Sequence, residues 1–420
     1  MQNIRWLWGP VALALIAVFN VSDFDLLSTH SGMYSGFSKY SVASLGIPAL
    51  ATVAGVWLTQ HWQWLLAVGT TAALVTTIEA QAHFVALRPG ATSIITSIGV
   101  AGTVLIVIGA LAAAQAAALA ALVVGAQVLA TLFRGLYWLD NQLLRPAALE
   151  IVLGVLAVAG GALAVHGVRT GKITRTEPIS RRAALVGSAA AFLPIVLIGV
   201  GLVVRSELHR VLVAVVAGAV LLLCTAGLTL ALGRGAFLKT ATAGFVLFAV
   251  SAPAALGLYF SGSHLTTYGS AAVIGLGFGI LAAHLGRSTV VAAAACTVLA
   301  VLMWTVVEVT GRYDDVVQGG LGSLIIALVV VAVTSSAATA ASGVLHLRAL
   351  PVVAGPLLLS FALGFREVVQ LFLSYDKIPH AIPEGDYTPL WAALTAIAAV
   401  ALAAIALLDR AKERLPAAPI

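Results

Sequence analysis

The chain has 420 residues, 61% hydrophobic and only 9% charged, with a mean hydropathy of +1.07. A soluble protein keeps roughly a quarter of its residues charged, so soluble enzyme folds are excluded and an all-α polytopic membrane protein is expected. The net charge of +6, from 22 Lys/Arg and 16 Asp/Glu, is read as membrane topology and not as nucleic-acid binding, because basic residues in such a chain mark the loops that stay cytoplasmic.

A crossing needs about 20 apolar residues. In chain order the expected spans are 4–22, 41–59, 64–86, 94–114, 117–138, 148–168, 183–204, 211–232, 236–257, 267–285, 289–309, 319–341, 351–373 and 388–408, about 14 in all. The first opens with Trp6, Trp8 and Pro10 and lacks an Ala-x-Ala cleavage site, so it is expected to be a retained span and not a signal peptide. It is followed by a polar outer loop holding Asp23, Asp25, His30, Tyr34, Lys39 and Tyr40. The run from Ile94 to Phe133 carries no charge and is too long for one crossing, so it is expected to fold back near Gln115. Trp57, Trp62, Trp64 and Trp138 are read as interface anchors. Cys224 and Cys296 lie in apolar runs without metal or Cys-x-x-Cys spacing, so they are read as packing residues, and no metal or other cofactor is expected.

Placing the amino terminus inside puts roughly twice as many Lys/Arg on the cytoplasmic side as outside. The longest inner loop, 169–182, holds Arg169, Lys172, Arg175, Arg181 and Arg182, and the tail 410–420 adds Arg410, Lys412 and Arg414. Both termini are therefore expected in the cytoplasm of a cell with this protein in its inner membrane. About 30 residues per span leave no room in this sequence for a soluble catalytic domain, so no enzyme and no catalytic residue is expected.

The chain weakly repeats itself. Span 2 ends in Gly55-Val56-Trp57-Leu58-Thr59-Gln60 and span 10 in Gly279-Ile280-Leu281-Ala282-Ala283-His284. Spans 3 and 11 each carry one acid near their outer ends, Glu79 and Glu308, and spans 5 and 13 each carry Phe-Arg, Phe133-Arg134 and Phe365-Arg366. This pairs a six-helix bundle over 1–168 with another over 236–409, as parallel repeats, and leaves 183–235 as an inserted central helix pair.

Gly279 through Arg287, including Gly286, resembles the Gly-x-Leu-Ala-Asp-Arg-x-Gly-Arg signature of the major facilitator superfamily, although Ala283 stands where the signature has Asp. Gly355-Pro356 is similar to the Gly-Pro pair of that family's antiporter signature. The whole architecture resembles the 14-span branch of the family, which implies a secondary transporter with two bundles alternating about a central site, and implies export.

Charges inside spans cost roughly 2.5 to 3.5 kcal/mol near the bilayer centre, so each needs a partner or a purpose. Glu79 precedes His83 by one helical turn, on the same face. Glu79, Glu308 or Glu367 is a candidate proton carrier, with His83 as relay and Arg134 or Arg366 as the competing cation; the alternative is that Glu79–Arg134 and Glu308–Arg366 are ion pairs pinning helices. Glu150, at the start of span 6, is read as interfacial. The expected partners are the lipid bilayer, a small organic or lipid-like substrate and a proton gradient; no nucleic acid is expected, and oligomeric state is left open. Two other classes stand beside transport. One is a membrane-embedded glycosyltransferase or lipid-modifying enzyme using Asp23 and Asp25 as base or metal ligands; the other is a non-transporting partner subunit.

Overall fold

The computed structural model describes residues 39–82, 89–114, 179–192, 265–285 and 288–310, with shorter stretches inside 159–171, 324–335 and 396–407. These residues form α1 (Lys39–Trp57), a single 3-10 turn (Thr59–His61), α2 (Trp62–Ala82), α3 (Pro89–Ala114), α4 (Arg181–Ala191), α5 (Leu265–His284) and α6 (Ser288–Thr310). They are spans 2, 3, 4, 7, 10 and 11 of the sequence, and the described parts of 159–169, 324–335 and 396–407 are helical where spans 6, 12 and 14 are expected. Spans 1, 5, 8, 9 and 13 lie outside the described residues. At the helix ends the largest difference is at α4, which stops at Ala191 where 204 is expected, and at the starts it is at α3, which begins five residues before position 94, at Pro89. A proline fits there because the first helical turn needs no backbone donor.

Among the described residues no helix is long and apolar enough to cross a membrane by itself. α3 has 26 residues without a charge, about 39 Å at 1.5 Å per residue, against the ~30 Å of a hydrocarbon core.

The order of helices in space differs from their order in the chain. α3 packs against both α1 and α2 and lies between them. The tight corner at Thr59–His61 reverses the chain between α1 and α2. Contacts of Gly69 with Gly102 and of Trp62 with Gly109 run in opposite senses along α2 and α3, so that pair is antiparallel and α1 is parallel to α3. Every position from Gly99 to Ala113 is buried, which is what an apolar helix without a polar face does when other helices surround it.

Lipid tails are as apolar as leucine, so burial gives little drive between helices in a bilayer, and close van der Waals approach must hold them. The α2–α3 seam shows that approach. A Cβ on Gly102 would stand 2.6 Å from the carbonyl oxygen of Gly69, and one on Gly69 would stand 2.6 Å from that of Gly102. Gly109 lies against the Trp62 carbonyl in the same way, at 3.0 Å. Gly55 of α1 is covered by Ile108 and Leu105 of α3.

Hydroxyl groups in these helices are satisfied locally. Thr52 donates to the Pro48 carbonyl at 2.9 Å, Thr70 to Leu66 at 2.7 Å, Thr297 to Ala293 at 2.8 Å and Thr334 to Val330 at 2.7 Å. Bonds of this kind let a polar residue sit in an apolar interior and tend to bend the helix. Pro48 adds to this in α1, where it leaves the Ser44 carbonyl without its helical donor.

Candidate transport site

The sequence places its chemistry on a few charges, and the helices fix where two of them stand. Glu79 is in the last turn of α2 and Glu308 in the last turn of α6. Measured from the first residue of each helix, Glu79 lies about 26 Å along α2 and Glu308 about 30 Å along α6. α2 follows the tight corner Leu58–His61, and α6 starts at Ser288 after α5 ends at His284. Glu79 and Glu308 therefore both stand in the last turn of the second helix of their pair. A site at the bilayer centre would lie about 15 Å along, near Ala72 and Ala73, where α2 is closed by Gly102. Glu79 and Glu308 are thus about 11 to 15 Å nearer the far interface along their helices than a midplane site. Extending the antiparallel register of α2 and α3 brings Glu79 level with the turn of α3 around Ile95.

Of the signature-like segment, Gly279 is buried in α5, and Gly286 and Arg287 fall in the two-residue break before α6, outside the described residues. The described part of the segment, Gly279 to Leu285, is the end of α5 and the residue after it. His83, Arg134, Glu150, Arg366 and Glu367 lie outside the described residues, as do the outer-loop acids Asp23 and Asp25. Cys296 is buried in α6, in line with a packing role, and Cys224 lies outside the described residues. Among the described residues no group of His, Cys, Asp and Glu could hold a metal ion.

Two features escaped the sequence. The tryptophans read alike as anchors divide: Trp64 is 68% exposed and fits that reading, whereas Trp62 is fully buried, with its Nε1 donor unpartnered. Trp62 is a packing residue under α3, and the anchor reading is corrected there. Trp57, in turn, donates from Nε1 to Ser188 Oγ at 3.0 Å, which fastens the end of α1 to α4. A separation of 131 residues leaves no local signal for that contact.

Neither a family model nor a curated relative matches the sequence. Solved structures do. The chain is similar to the xylose transporter XylE from E. coli in a partially occluded inward-open conformation, at 12% identity and a TM-score of 0.53, over 95% of this chain and 97% of that one. It is similar to an auto-inhibited peptide transporter of the POT family at 14% identity and a TM-score of 0.51, over 100% of this chain and 98% of the other. A proton-dependent oligopeptide family transporter matches at 11% identity and a TM-score of 0.50, over 95% and 100%. The chain shares the helical fold of these transporters over nearly its full length.

Proposed function

We propose that the protein is a secondary active transporter of the inner membrane, working by alternating access of two parallel six-helix bundles, 1–168 and 236–409, with 183–235 as an added helix pair. The observation that carries this reading is the whole-chain likeness in fold to solved transporters of sugars and peptides. The matched positions of Glu79 and Glu308 in the last turns of α2 and α6 support the repeat. Because the structures it resembles are transporters, the fold favours transport over the glycosyltransferase reading of Asp23 and Asp25.

Its cargo is a small organic or lipid-like molecule, moved outward in exchange for protons. Glu79 takes up the proton from the outer side, His83 relays it, and Arg134 competes for the carboxylate and drives release; Glu308, Arg366 and Glu367 are the second-half counterparts. A carboxylate partly withdrawn from water binds a proton more readily, and an arginine nearby opposes that. Placement of Glu79 and Glu308 near one end of their helices makes them outer-gate groups and leaves the midplane to the cargo. One elementary charge crossing 100 mV supplies about 2.3 kcal/mol, roughly a fifty-fold gradient.

The test is transport by the reconstituted full chain, with Glu79→Gln and Glu308→Gln measured singly and together. Proton coupling expects correctly folded variants that still exchange cargo down its own gradient but lose accumulation driven by a pH step. Wild-type pH dependence in both variants, alone and combined, removes these carboxylates from coupling and leaves them as ion-pair partners.

A further inference from the structure

The start of α4 has a polarity that changes along its axis. Arg181, Arg182, Leu185 and Ala189 are exposed, while Ala183, Ala184, Gly187 and Ala191 are buried. Spacings of three and four residues put the exposed set on one stripe of the helix. That stripe is basic for its first turn and apolar afterwards, with Leu185 60% exposed. The Trp57–Ser188 hydrogen bond then sets the indole of Trp57, 45% exposed, beside the apolar end of the stripe. Leu58, 44% exposed, follows Trp57 directly in the chain. The two arginines stand about 10 Å back along α4 from the Trp57 contact.

A face with two cations at one level and an indole with leucines about 10 Å away matches a phospholipid end to end. Arginine pairs with the phosphate, tryptophan sits at the level between headgroup and chain, and leucine meets the acyl carbons. Arg181 and Arg182 are both exposed, and no acid is paired with them among the described residues. We propose that the seam between α1 and α4 is a docking site for an anionic phospholipid of the leaflet that faces the basic 169–182 loop. The occupant is a lipid because the apolar half of the surface has nothing to offer a free phosphate. This inference rests on the membrane placement proposed above and not on the transport activity.

The experiment uses the purified full chain in detergent, with thermal unfolding and lipid retention in native mass spectrometry read at several concentrations of phosphatidylglycerol, phosphatidylcholine and soluble glycerol phosphate. Phosphatidylglycerol should bind and raise the melting temperature, and phosphatidylcholine should do so far less. Replacing both arginines, Arg181→Gln with Arg182→Gln, should weaken phosphatidylglycerol binding about 30-fold, at about tenfold per 1.4 kcal/mol and near 1 kcal/mol for each charge. The stability of that variant in phosphatidylcholine should match wild type, which separates a lost lipid from a damaged fold. A second variant, Arg410→Gln with Lys412→Gln, controls for net charge and should keep the wild-type affinity. Undiminished phosphatidylglycerol binding in the α4 variant, an equal loss in the tail variant, or the full shift from glycerol phosphate alone each overturns the proposal. Failure of the transport assays would overturn the transporter reading and leave this binding result unchanged.

Discussion

The helix pairs α1–α2 and α5–α6 are alike in length, each following a helix of 19 or 20 residues with one of 21 or 23. In each pair the first helix presses a glycine onto the helix two places further along the chain, near the end of α1 and at the middle of α5. In the first half Gly55 meets Ile108 and Leu105 of α3, and in the second Gly275 meets Val331 and Thr334. The halves differ in what they touch. At Gly55 the nearest atom to an added Cβ would be the Cδ1 tip of Ile108, at 2.8 Å, which can swing away, whereas at Gly275 it meets the Thr334 side chain and, at 2.7 Å, the backbone oxygen of Val331. Close packing through glycine thus occurs in both regions, with backbone-to-backbone approach at the α2–α3 seam in one and at the α5 contact in the other.

The comparison is broken most completely by topology. Parallel halves place the α1–α2 and α5–α6 connections on one side of the membrane, and inverted halves place them on opposite sides. Cysteines introduced singly at Gln60 and Leu285, both exposed, into a chain lacking Cys224 and Cys296 should both be shielded from an impermeant thiol reagent in intact cells. Ser35→Cys should react. Labelling of one connection without the other would remove the parallel repeat and the pairing of Glu79 with Glu308.

Packing supplies the next largest effect. Gly102→Ala drives a methyl into the backbone of Gly69 and Ala73, so α2 and α3 must separate, at a cost of about 1 to 3 kcal/mol or more. Gly275→Ala should cost a similar amount through Val331. Gly55→Ala should cost less than either, and Gly277→Ala, with nothing within 4 Å, should be neutral or gain up to about 1 kcal/mol from helix propensity. Melting temperatures of the four variants in detergent give the order directly. A Gly277→Ala loss equal to that of Gly102→Ala would mean that helix flexibility, and not close approach, is what the glycines provide.

Element positions were legible in the sequence because a crossing has a fixed length and the chain leaves little outside it. What faced what was not. α3 has no charge and hence no polar side to point away from the core, so its central position between α1 and α2 gives no periodic signal. The same lack of signal hid the difference between Trp62 and Trp64. Two residues along a helix turn the side chain by roughly 200°, yet in an apolar helix the sequence cannot say which direction is lipid and which is protein. For the site, the residue types and their symmetric placement could be read from spacing, since an acid in an apolar run stands out. Their height could be read only once α2 and α6 had starting points at Trp62 and Ser288.

The smallest effect separates those two environments of tryptophan. Trp57 gives its indole hydrogen to Ser188, and Ser188 passes its own to the Ala184 carbonyl at 2.7 Å. Trp57→Phe should therefore cost the net value of one hydrogen bond, about 0.5 to 1.5 kcal/mol. Trp62→Phe removes a buried donor that has no partner, so relief of about 1 to 3 kcal/mol of desolvation offsets the packing lost with the smaller ring. The expected net change is within about 1 kcal/mol of zero by that offset. A double-mutant cycle sharpens the contrast. Trp57→Phe combined with Ser188→Ala should show a coupling of about 1 kcal/mol, because either change alone already breaks the bond. Trp62→Phe with Ser188→Ala should be additive. Additivity in the first cycle would mean that the indole of Trp57 is held by water or lipid and that α1 and α4 are joined by their small residues alone.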